Sequence, residues 1–435
     1  MSVSFKIPPR RILVRGTNWL GDAVMTTPAL LRLREKFPDA HITLLTPEKL
    51  ADLWLNHPAI DDVISFTREE GPLSVASRLR AEALKPFMES HRERIEAGRT
   101  AYEETAIRGG TLAQAAVNVV KQVSQKTIDV AQQGRIDLAL VLPNSPRSAL
   151  EVFLADIPQR IGYARPWRNI FLTQTVAPRT EVVKMRKRSV GEIHNLIRAP
   201  KPQTLPPPSS HQIYEFLHLT ATLGANPEPL APQLFVTAEE IESAKKKFGL
   251  EKSDGPIFGL NPGAEYGPAK RWPVEKFSAA AKEIQQQTNC TWILFGGKDD
   301  TAITNQIESA IGNRQLASAQ PGSAIFNLAG KTSLRELMAL LKPCCVLLTN
   351  DTGPMHVAAA LGIPVVALFG PTEPRRTGPY RQLDHVLQLN LPCVPCMKAR
   401  CTYFKPFECL RAIPPAAVFA AVQRRLAETT SAGLS

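Results

Sequence analysis

Short apolar runs alternate with helical patterns along most of the chain, and this alternation restricts the fold more than any other feature. In the first half a helical pattern covers Asp22–Phe37. The apolar runs around it are Arg11–Arg15, His41–Leu45, Val63–Phe66 and Ile136–Leu142. A strand, a helix and a strand at this spacing form a βαβ unit with parallel strands. The first half is therefore predicted to be a doubly wound α/β domain.

The same alternation begins again in the second half, so we predict two such domains in tandem. The strands expected there are Ile257–Leu260, Thr291–Phe295, Cys345–Leu348 and Pro364–Phe369, and the helices are Pro273–Gln287, Ser333–Leu341 and Pro354–Leu361. A chain of 435 residues, 44% of them hydrophobic, can build two cores of ordinary size. Ligands of such sheets bind at the carboxyl ends of the strands, so we expect the site in a cleft between the domains.

Two stretches interrupt the alternation. Residues 74–133 are rich in Ala, Glu, Arg, Lys and Gln, which predicts a helical insert in the first domain. Residues 178–232 are a basic, proline-rich junction, and we place the domain boundary near 230, giving an N-terminal domain over 1–230 and a C-terminal domain over 231–435. The basic run of the junction is either a contact for anionic lipid or a solvated loop, and it comprises Lys184, Arg186, Lys187 and Arg188.

The balance of charge favours an anionic partner. The formal net charge is +12, which suits a nucleotide, a nucleic acid or an anionic membrane surface without choosing among them. The first residues lack the apolar core of a signal peptide, and the longest apolar run, Val357–Phe369, is broken by Gly362 and Pro364. We therefore expect a soluble, cytosolic protein.

The first strand leads into a glycine-containing loop with an acid at its end. Gly16 and Gly21 have the spacing of a phosphate-binding loop, but Asp22 stands where that loop carries lysine. A carboxylate there would repel a triphosphate, which argues against a nucleic-acid-binding or nucleotide-binding protein that uses this loop. Asp22 either caps its helix or, across the cleft from a bound nucleotide, stays ionised and takes a proton from an attacking hydroxyl.

Three strand-end loops of the second half carry groups suited to a nucleotide. Lys270 and Arg271 offer positive charge to phosphate oxygens, or form an exposed basic loop. Asp299 or Asp300, after a pair of glycines, suits ribose hydroxyls, or belongs to an ordinary acidic turn. The last loop leads through Asp351, Thr352 and Gly353 into a helix that contains His356. The free backbone amide groups of this turn could form an anion site by position, as at other helix N-termini; the alternative is an ordinary capped helix with a histidine on its surface.

Four of the seven cysteines lie close together near the C-terminus. They have the spacing C-x₂-C-x₄-C-x₇-C and are Cys393, Cys396, Cys401 and Cys409. Such a set could hold zinc or iron tetrahedrally, or remain as reduced, partly buried thiols.

Taken in order, the loops resemble one family, the ADP-heptose:lipopolysaccharide heptosyltransferases of glycosyltransferase family 9, and most closely its type II members. The segments that carry the resemblance are NWLGD at 18–22, VLPNS at 141–145, GAEYGPAKRWP at 263–273 and NDTGPMHVAAA at 350–360. The resemblance covers most of the chain except the predicted insert and the basic, proline-rich junction.

The resemblance implies a GT-B fold with the donor in the C-terminal domain and the acceptor in the N-terminal domain. It implies inverting transfer of heptose from ADP-heptose to a heptose of the lipopolysaccharide inner core, without a required metal and without nucleic acid. Peripheral contact with the anionic inner membrane fits such an acceptor, and a cysteine-bound metal occurs in some related protein-modifying enzymes. The alternative is a glycosyltransferase of the same fold that uses another nucleotide sugar or a protein acceptor.

The same resemblance assigns roles to single residues. Asp22 matches the base, Lys270 lies near the diphosphate and sugar, Asp351 contacts the heptose, and Asp299 is the best match for the ribose acid. The residues matched to the diphosphate region are Thr352, Gly353 and His356, and those matched to the acceptor side or its loops are Asn18, Gly21 and Asn144.

Overall fold

The two domains predicted from the alternation are present. The computed structural model describes residues 7–82, 135–180, 182–183, 185–201, 204–252, 255–312 and 324–432. Within these ranges the strands form two six-stranded sheets in which all neighbouring strands are parallel. The predicted insert begins inside a helical segment over 72–82, and the rest of it lies outside the described residues.

The first sheet has the strand order β3-β2-β1-β4-β5-β6. Its strands are β1 Arg11–Arg15, β2 His41–Pro47, β3 Asp62–Phe66, β4 Leu138–Val141, β5 Gln159–Tyr163 and β6 Gln174–Val176. The chain order reverses between β1 and β4, and a crevice opens at the carboxyl ends of strands at such a point. The loops that carry Asn18 and Asn144 follow these two strands.

The helices of the first half are α1 Leu20–Lys36, α2 Pro146–Leu154, α3 Val190–Arg198 and α4 Ile213–Ala221. Helix α1 begins two residues before the predicted start, because the extended Trp19 serves as its N-cap. Asp22 therefore lies in the first turn of α1 and does not cap it.

The second sheet has the order β12-β11-β10-β7-β8-β9, again with a reversal at its centre. Its strands are β7 Ile257–Asn261, β8 Thr291–Leu294, β9 Ile325–Asn327, β10 Val346–Asn350, β11 Val365–Phe369 and β12 Val386–Gln388. The first five helices of this half are α5 Ala238–Lys247, α6 Val274–Thr288, α7 Thr301–Gly312, α8 Leu334–Leu341 and α9 Gly353–Ala360. The last three are α10 Pro374–Thr377, α11 Glu408–Arg411 and α12 Pro415–Ala432.

The junction packs first against the second half, through α3, and then against the first half, through α4. Ile193 of α3 belongs to the same apolar core as Phe258 of β7, whereas α4 packs on α1 of the first half. Helix α5 then packs on α8, so the boundary predicted near 230 falls in the segment between α4 and α5. The partition at that position remains a prediction.

Two cations of the basic run make contacts within the chain. The backbone N–H of Arg188 donates to the carbonyl of Cys396 at 3.1 Å, and its side chain donates to the carbonyl of Cys393 at 3.2 Å. Arg186 forms an ion pair with Glu192. Lys184 lies outside the described residues.

Candidate active site

The amino-terminal ends of α1 and α9 meet where the two halves face each other. A Cβ atom at Gly21 would lie 2.7 Å from Cδ2 of His356, and one at Gly353 would lie 2.8 Å from Cδ2 of Leu20. Such distances are shorter than van der Waals contact, so the helices can approach this closely only with glycine at both positions. Gly21 is therefore required by the contact between the two halves. This requirement explains why the loop has the glycine spacing of a phosphate-binding loop but lacks the lysine of such a loop.

The Asp22 side chain faces the gap between the halves. It lines a cavity of about 220 Å³ together with Asn18, Asn144 and Tyr163 of the first sheet's loops and strand ends. The Nε2 atom of Gln212 donates to Oδ1 of Asp22 at 3.0 Å. Burial raises the pKa of the Asp22 carboxyl, while the Gln212 hydrogen bond and the positive charge of Arg376 oppose that rise. A raised pKa strengthens a carboxylate as a proton acceptor.

A frame of polar contacts holds Gln212 beside Asp22. The backbone N–H of Gln212 donates to the carbonyl of Arg376 at 2.9 Å, and the Arg376 guanidinium pairs with Glu215 at 3.0 Å. The Tyr163 hydroxyl donates to the carbonyl of Glu215 at 2.5 Å. The sequence analysis missed these four residues, because none of them stands in a strand-end loop with a recognisable pattern.

Buried arginines fix the loops that carry Asn18 and Asn144. The Arg15 guanidinium pairs with Glu151 at 2.7 Å, and its Nη1 donates to Oδ1 of Asn18 at 3.0 Å. Arg168, fully buried, donates from Nη1 to the carbonyl of Pro143 at 2.8 Å. The two asparagines predicted for the acceptor side are thus brought to the cavity that Asp22 lines.

A larger cavity of about 420 Å³ lies on the side of the second sheet. All three predicted loops of the second half reach it, and so does Leu20 from α1. The loop residues that line it include Gly263, Ala264, Arg271, Gly296, Gly297, Asp299, Asp300, Thr352 and Pro354. Its volume is within the range of small-molecule sites.

The two neighbouring acids of the glycine loop have different surroundings. Asp300 pairs with Arg271 at 3.2 Å and accepts from the backbone N–H of Gly297 at 3.0 Å. Asp299 is exposed at the cavity, and among the described residues no hydrogen bond or ion pair engages its carboxylate. Of the two acids weighed from the sequence, Asp299 is the one available to a ligand.

Lys270 and Asp351 form a largely buried ion pair, and their chain neighbours Arg271 and Thr352 line the larger cavity. Lys270 Nζ lies 2.5 Å from Oδ2 of Asp351, and that oxygen also accepts from Thr372 Oγ1 at 2.5 Å. Asn350 fixes the arrangement, because it donates to the carbonyl of Pro262 at 2.7 Å and accepts from the N–H of Trp272 at 3.1 Å. These bonds hold the Lys270 loop against the end of β10.

His356 is buried in the first turns of α9, so the alternative of a surface histidine is wrong. Burial lowers the pKa of His356 to about 4, which keeps its imidazole neutral at neutral pH. Thr352 is the N-cap of α9 and makes no side-chain cap hydrogen bond. Thr352 and Pro354 line the larger cavity, so the positive end of the α9 dipole faces it.

The four clustered cysteines are free thiols. Burial, together with the negative charge of neighbouring thiolates, raises the pKa of Cys393 to about 11 and that of Cys409 to about 12. Within the described ranges, no three His, Cys, Asp or Glu side chains are arranged to hold a metal ion. The residues present therefore do not fit the zinc or iron site that their spacing suggested.

None of the helices in the described ranges is both long and apolar enough to cross a membrane.

Two parallel α/β domains whose strand ends face a common gap, with a nucleotide-sized cavity on one side and a carboxylate on the other, define the class of GT-B glycosyltransferases. The sequence profile of glycosyltransferase family 9 (heptosyltransferase) matches residues 130–406, and the chain belongs to this family. The fold and family predicted from the loops are thereby confirmed.

One relative supports the family assignment, and two solved structures support the fold. The lipopolysaccharide heptosyltransferase 2 of Salmonella typhimurium is 30% identical over 383 residues, which cover 87% of this chain and 88% of that protein. The structure of the Escherichia coli ADP-heptose lps heptosyltransferase II superposes with a TM-score of 0.64 and 24% identity, covering 97% and 99% of the two chains. A family 9 glycosyltransferase from Veillonella parvula has a TM-score of 0.66 at 21% identity, covering 98% and 100%.

Proposed function

We propose that this chain transfers heptose from ADP-heptose to a heptose of the lipopolysaccharide inner core, with inversion at the anomeric carbon. The observation that supports the proposal is that the buried Asp22 carboxylate of the first half lies within electrostatic reach of Lys270, which pairs with Asp351 in the second half. The names of the relatives and the family profile favour this donor and acceptor over another nucleotide sugar or a protein acceptor.

In the proposed reaction Asp22 acts as general base. The acceptor sugar occupies the cavity beside Asn18 and Asn144, and its attacking hydroxyl gives its proton to Asp22 as the oxygen forms a bond to the anomeric carbon. Gln212 holds one carboxylate oxygen by a hydrogen bond, which leaves the other free to accept the proton. A single displacement from the face opposite the leaving group inverts the configuration at that carbon.

The second half stabilises the departing ADP. The negative charge that develops on the diphosphate meets the ammonium group of Lys270 and the amide groups at the start of α9, near Thr352, Gly353 and His356. In this proposal Asp299, which lines the larger cavity, accepts hydrogen bonds from the ribose hydroxyls. Asp351 orients Lys270 and contacts the heptose. These groups supply positive charge at the leaving group, so we propose that transfer requires no metal ion.

The proposed acceptor is anchored in a membrane, so we also propose that the protein acts at the cytoplasmic face of the inner membrane as a peripheral protein. Its net charge of +12 favours such a surface.

The test is to incubate the purified protein with ADP-heptose and a truncated core lipid and to identify products by mass spectrometry. Addition of one heptose to the acceptor, with the inverted linkage, is the expected result. Transfer from a different nucleotide sugar but not from ADP-heptose would favour the alternative enzyme, and transfer to a protein instead of the core lipid would overturn the proposed acceptor.

A further inference from the structure

The loop between β5 and β6 exposes two large apolar side chains. Trp167 is 87% exposed and Ile170 is 79% exposed; Trp167 lies in the turn that precedes the 3-10 helix Asn169–Phe171, and Ile170 lies within that helix. Phe153 of α2, itself 43% exposed, lies next to this helix, with its ring centroid 5.5 Å from that of Phe171. Isolated exposed apolar residues are common, but a tryptophan and an isoleucine in one short loop form a patch.

The same segment is positively charged throughout. Residues 157–180 contain four arginines and no acidic residue, and the arginines are Arg160, Arg165, Arg168 and Arg179. In the part of the chain that the structure describes, none of the four forms an ion pair with a carboxylate. Two of them lie beside the apolar side chains: the Arg160 guanidinium carbon is 5.3 Å from the centroid of the Phe153 ring, and Arg165 stands two positions before Trp167, whereas Arg168 is buried.

The loop that carries the patch adjoins the cavity that Asp22 lines. Tyr163 lines that cavity, and the Arg165 guanidinium lies 6.0 Å from the centroid of its ring. Pro143, which also lines the cavity, accepts the hydrogen bond from Arg168. We call Phe153, Arg165, Trp167 and Ile170 the Trp167 surface. It lies at the rim of the proposed acceptor site.

We propose that the Trp167 surface docks on an anionic lipid bilayer and so brings a lipid-anchored saccharide into the cavity. Tryptophan and isoleucine side chains enter the headgroup region favourably, and arginines bind lipid phosphates. This inference rests on the proposed function, because only a membrane-bound acceptor requires the cavity to face a bilayer. The basic run of the junction is less suited to this task, since Arg186 and Arg188 are engaged within the chain.

The test is sedimentation of the full-length protein with phosphatidylcholine vesicles that contain or lack phosphatidylglycerol, without donor or acceptor. We expect binding to the anionic vesicles, and we expect the double variant W167S/I170S to bind them about tenfold more weakly. The matched control is L205S/F404S, which removes two apolar side chains of similar exposure elsewhere, 75% and 70%, and should bind as the wild type does.

A second measurement separates docking from folding and from catalysis. Transfer to a water-soluble, deacylated acceptor should be unchanged in W167S/I170S, while transfer to the acceptor embedded in vesicles should fall about tenfold.

Equal vesicle binding by wild type and W167S/I170S would overturn the inference and leave the proposed function intact. A wild-type dimer that W167S/I170S converts to a monomer would also overturn it, since the surface would then bind a second copy. Vesicle binding without heptose transfer to either acceptor would contradict the proposed function alone.

Discussion

Gln212 Nε2 donates a hydrogen bond of 3.0 Å to Oδ1 of Asp22, although the two residues lie 190 positions apart. The backbone N–H of Gln212 also donates to the carbonyl of Arg376 in the second half. The carboxylate of the first half is therefore oriented by a residue that is itself bonded to the second half. Any relative movement of the halves would change the position of Asp22.

Replacement of Asp22 by asparagine should remove turnover and spare donor binding. Asparagine keeps the shape of the side chain but accepts no proton, and loss of a general base costs about 10²–10⁴-fold in rate. Steady-state kinetics gives the rate and calorimetry gives the affinity for ADP-heptose. Asp39→Asn, an exposed acid just beyond α1, is the matched control and should behave as wild type. A rate for Asp22→Asn close to that of wild type would reject the base assignment.

Replacement of Gln212 by methionine should move the pH dependence of the reaction. A hydrogen bond to the ionised form lowers the pKa of a carboxyl, so its loss raises the pKa of Asp22 further above its ordinary value. The base works only when deprotonated, and the acidic limb of kcat/KM should therefore shift to higher pH. A merely structural role of Gln212 would lower kcat/KM at every pH without shifting the limb.

Replacement of Lys270 by alanine should weaken the binding of ADP-heptose by about tenfold or more, because a charge-assisted bond to the diphosphate is lost. It also leaves Asp351 without its cationic partner in a buried position, so the melting temperature should fall. Calorimetry with ADP and thermal unfolding measure the two effects. Lys282→Ala, at an exposed lysine of α6, is the control. Unchanged affinity would contradict the placement of the diphosphate beside Lys270.

Replacement of Gly21 by alanine should disrupt the contact between α1 and α9. The added Cβ would lie 2.7 Å from Cδ2 of His356, so the helices must separate. We expect lower stability and lower activity, and partial recovery of stability when His356→Ala is added, with a coupling of about 0.5–3 kcal/mol. Gly191→Ala, where a Cβ would meet nothing within 4 Å, is the control. Additive effects of Gly21→Ala and His356→Ala would show that the two residues do not meet.

Metal removal should leave transfer unchanged. The four clustered cysteines are free thiols, burial raises the pKa of Cys393, Cys396 and Cys409, and in the described part of the chain no three such side chains are arranged to hold a metal ion. Elemental analysis should find no stoichiometric zinc or iron, and dialysis against a chelator should not change the rate. Stoichiometric metal that Cys393→Ser removes would contradict this expectation.

The sequence by itself determined the order of the major strands and helices and the chemical type of each strand-end loop. These features depend on neighbouring residues: apolar periodicity defines β1 and β7, and the Thr352-Gly353-Pro354 sequence starts α9. The edge strands β6, β9 and β12 were not predicted, because each has three residues and is too short to show a period. The five-residue strand β5 was not predicted either, nor were the helices α2 to α5, α7 and α10 to α12.

Only the tertiary structure decided which of these groups meet. Lys270 and Asp351 were each identified from their loops, but their ion pair depends on how β7 and β10 lie side by side. The roles of Gln212 and Arg376 follow from the docking of α4 between the halves, and that of Gly21 follows from the imidazole of His356. A local sequence pattern predicts the conformation of its own segment. Contacts between distant segments depend on how whole helices and strands pack, and no single segment contains that information.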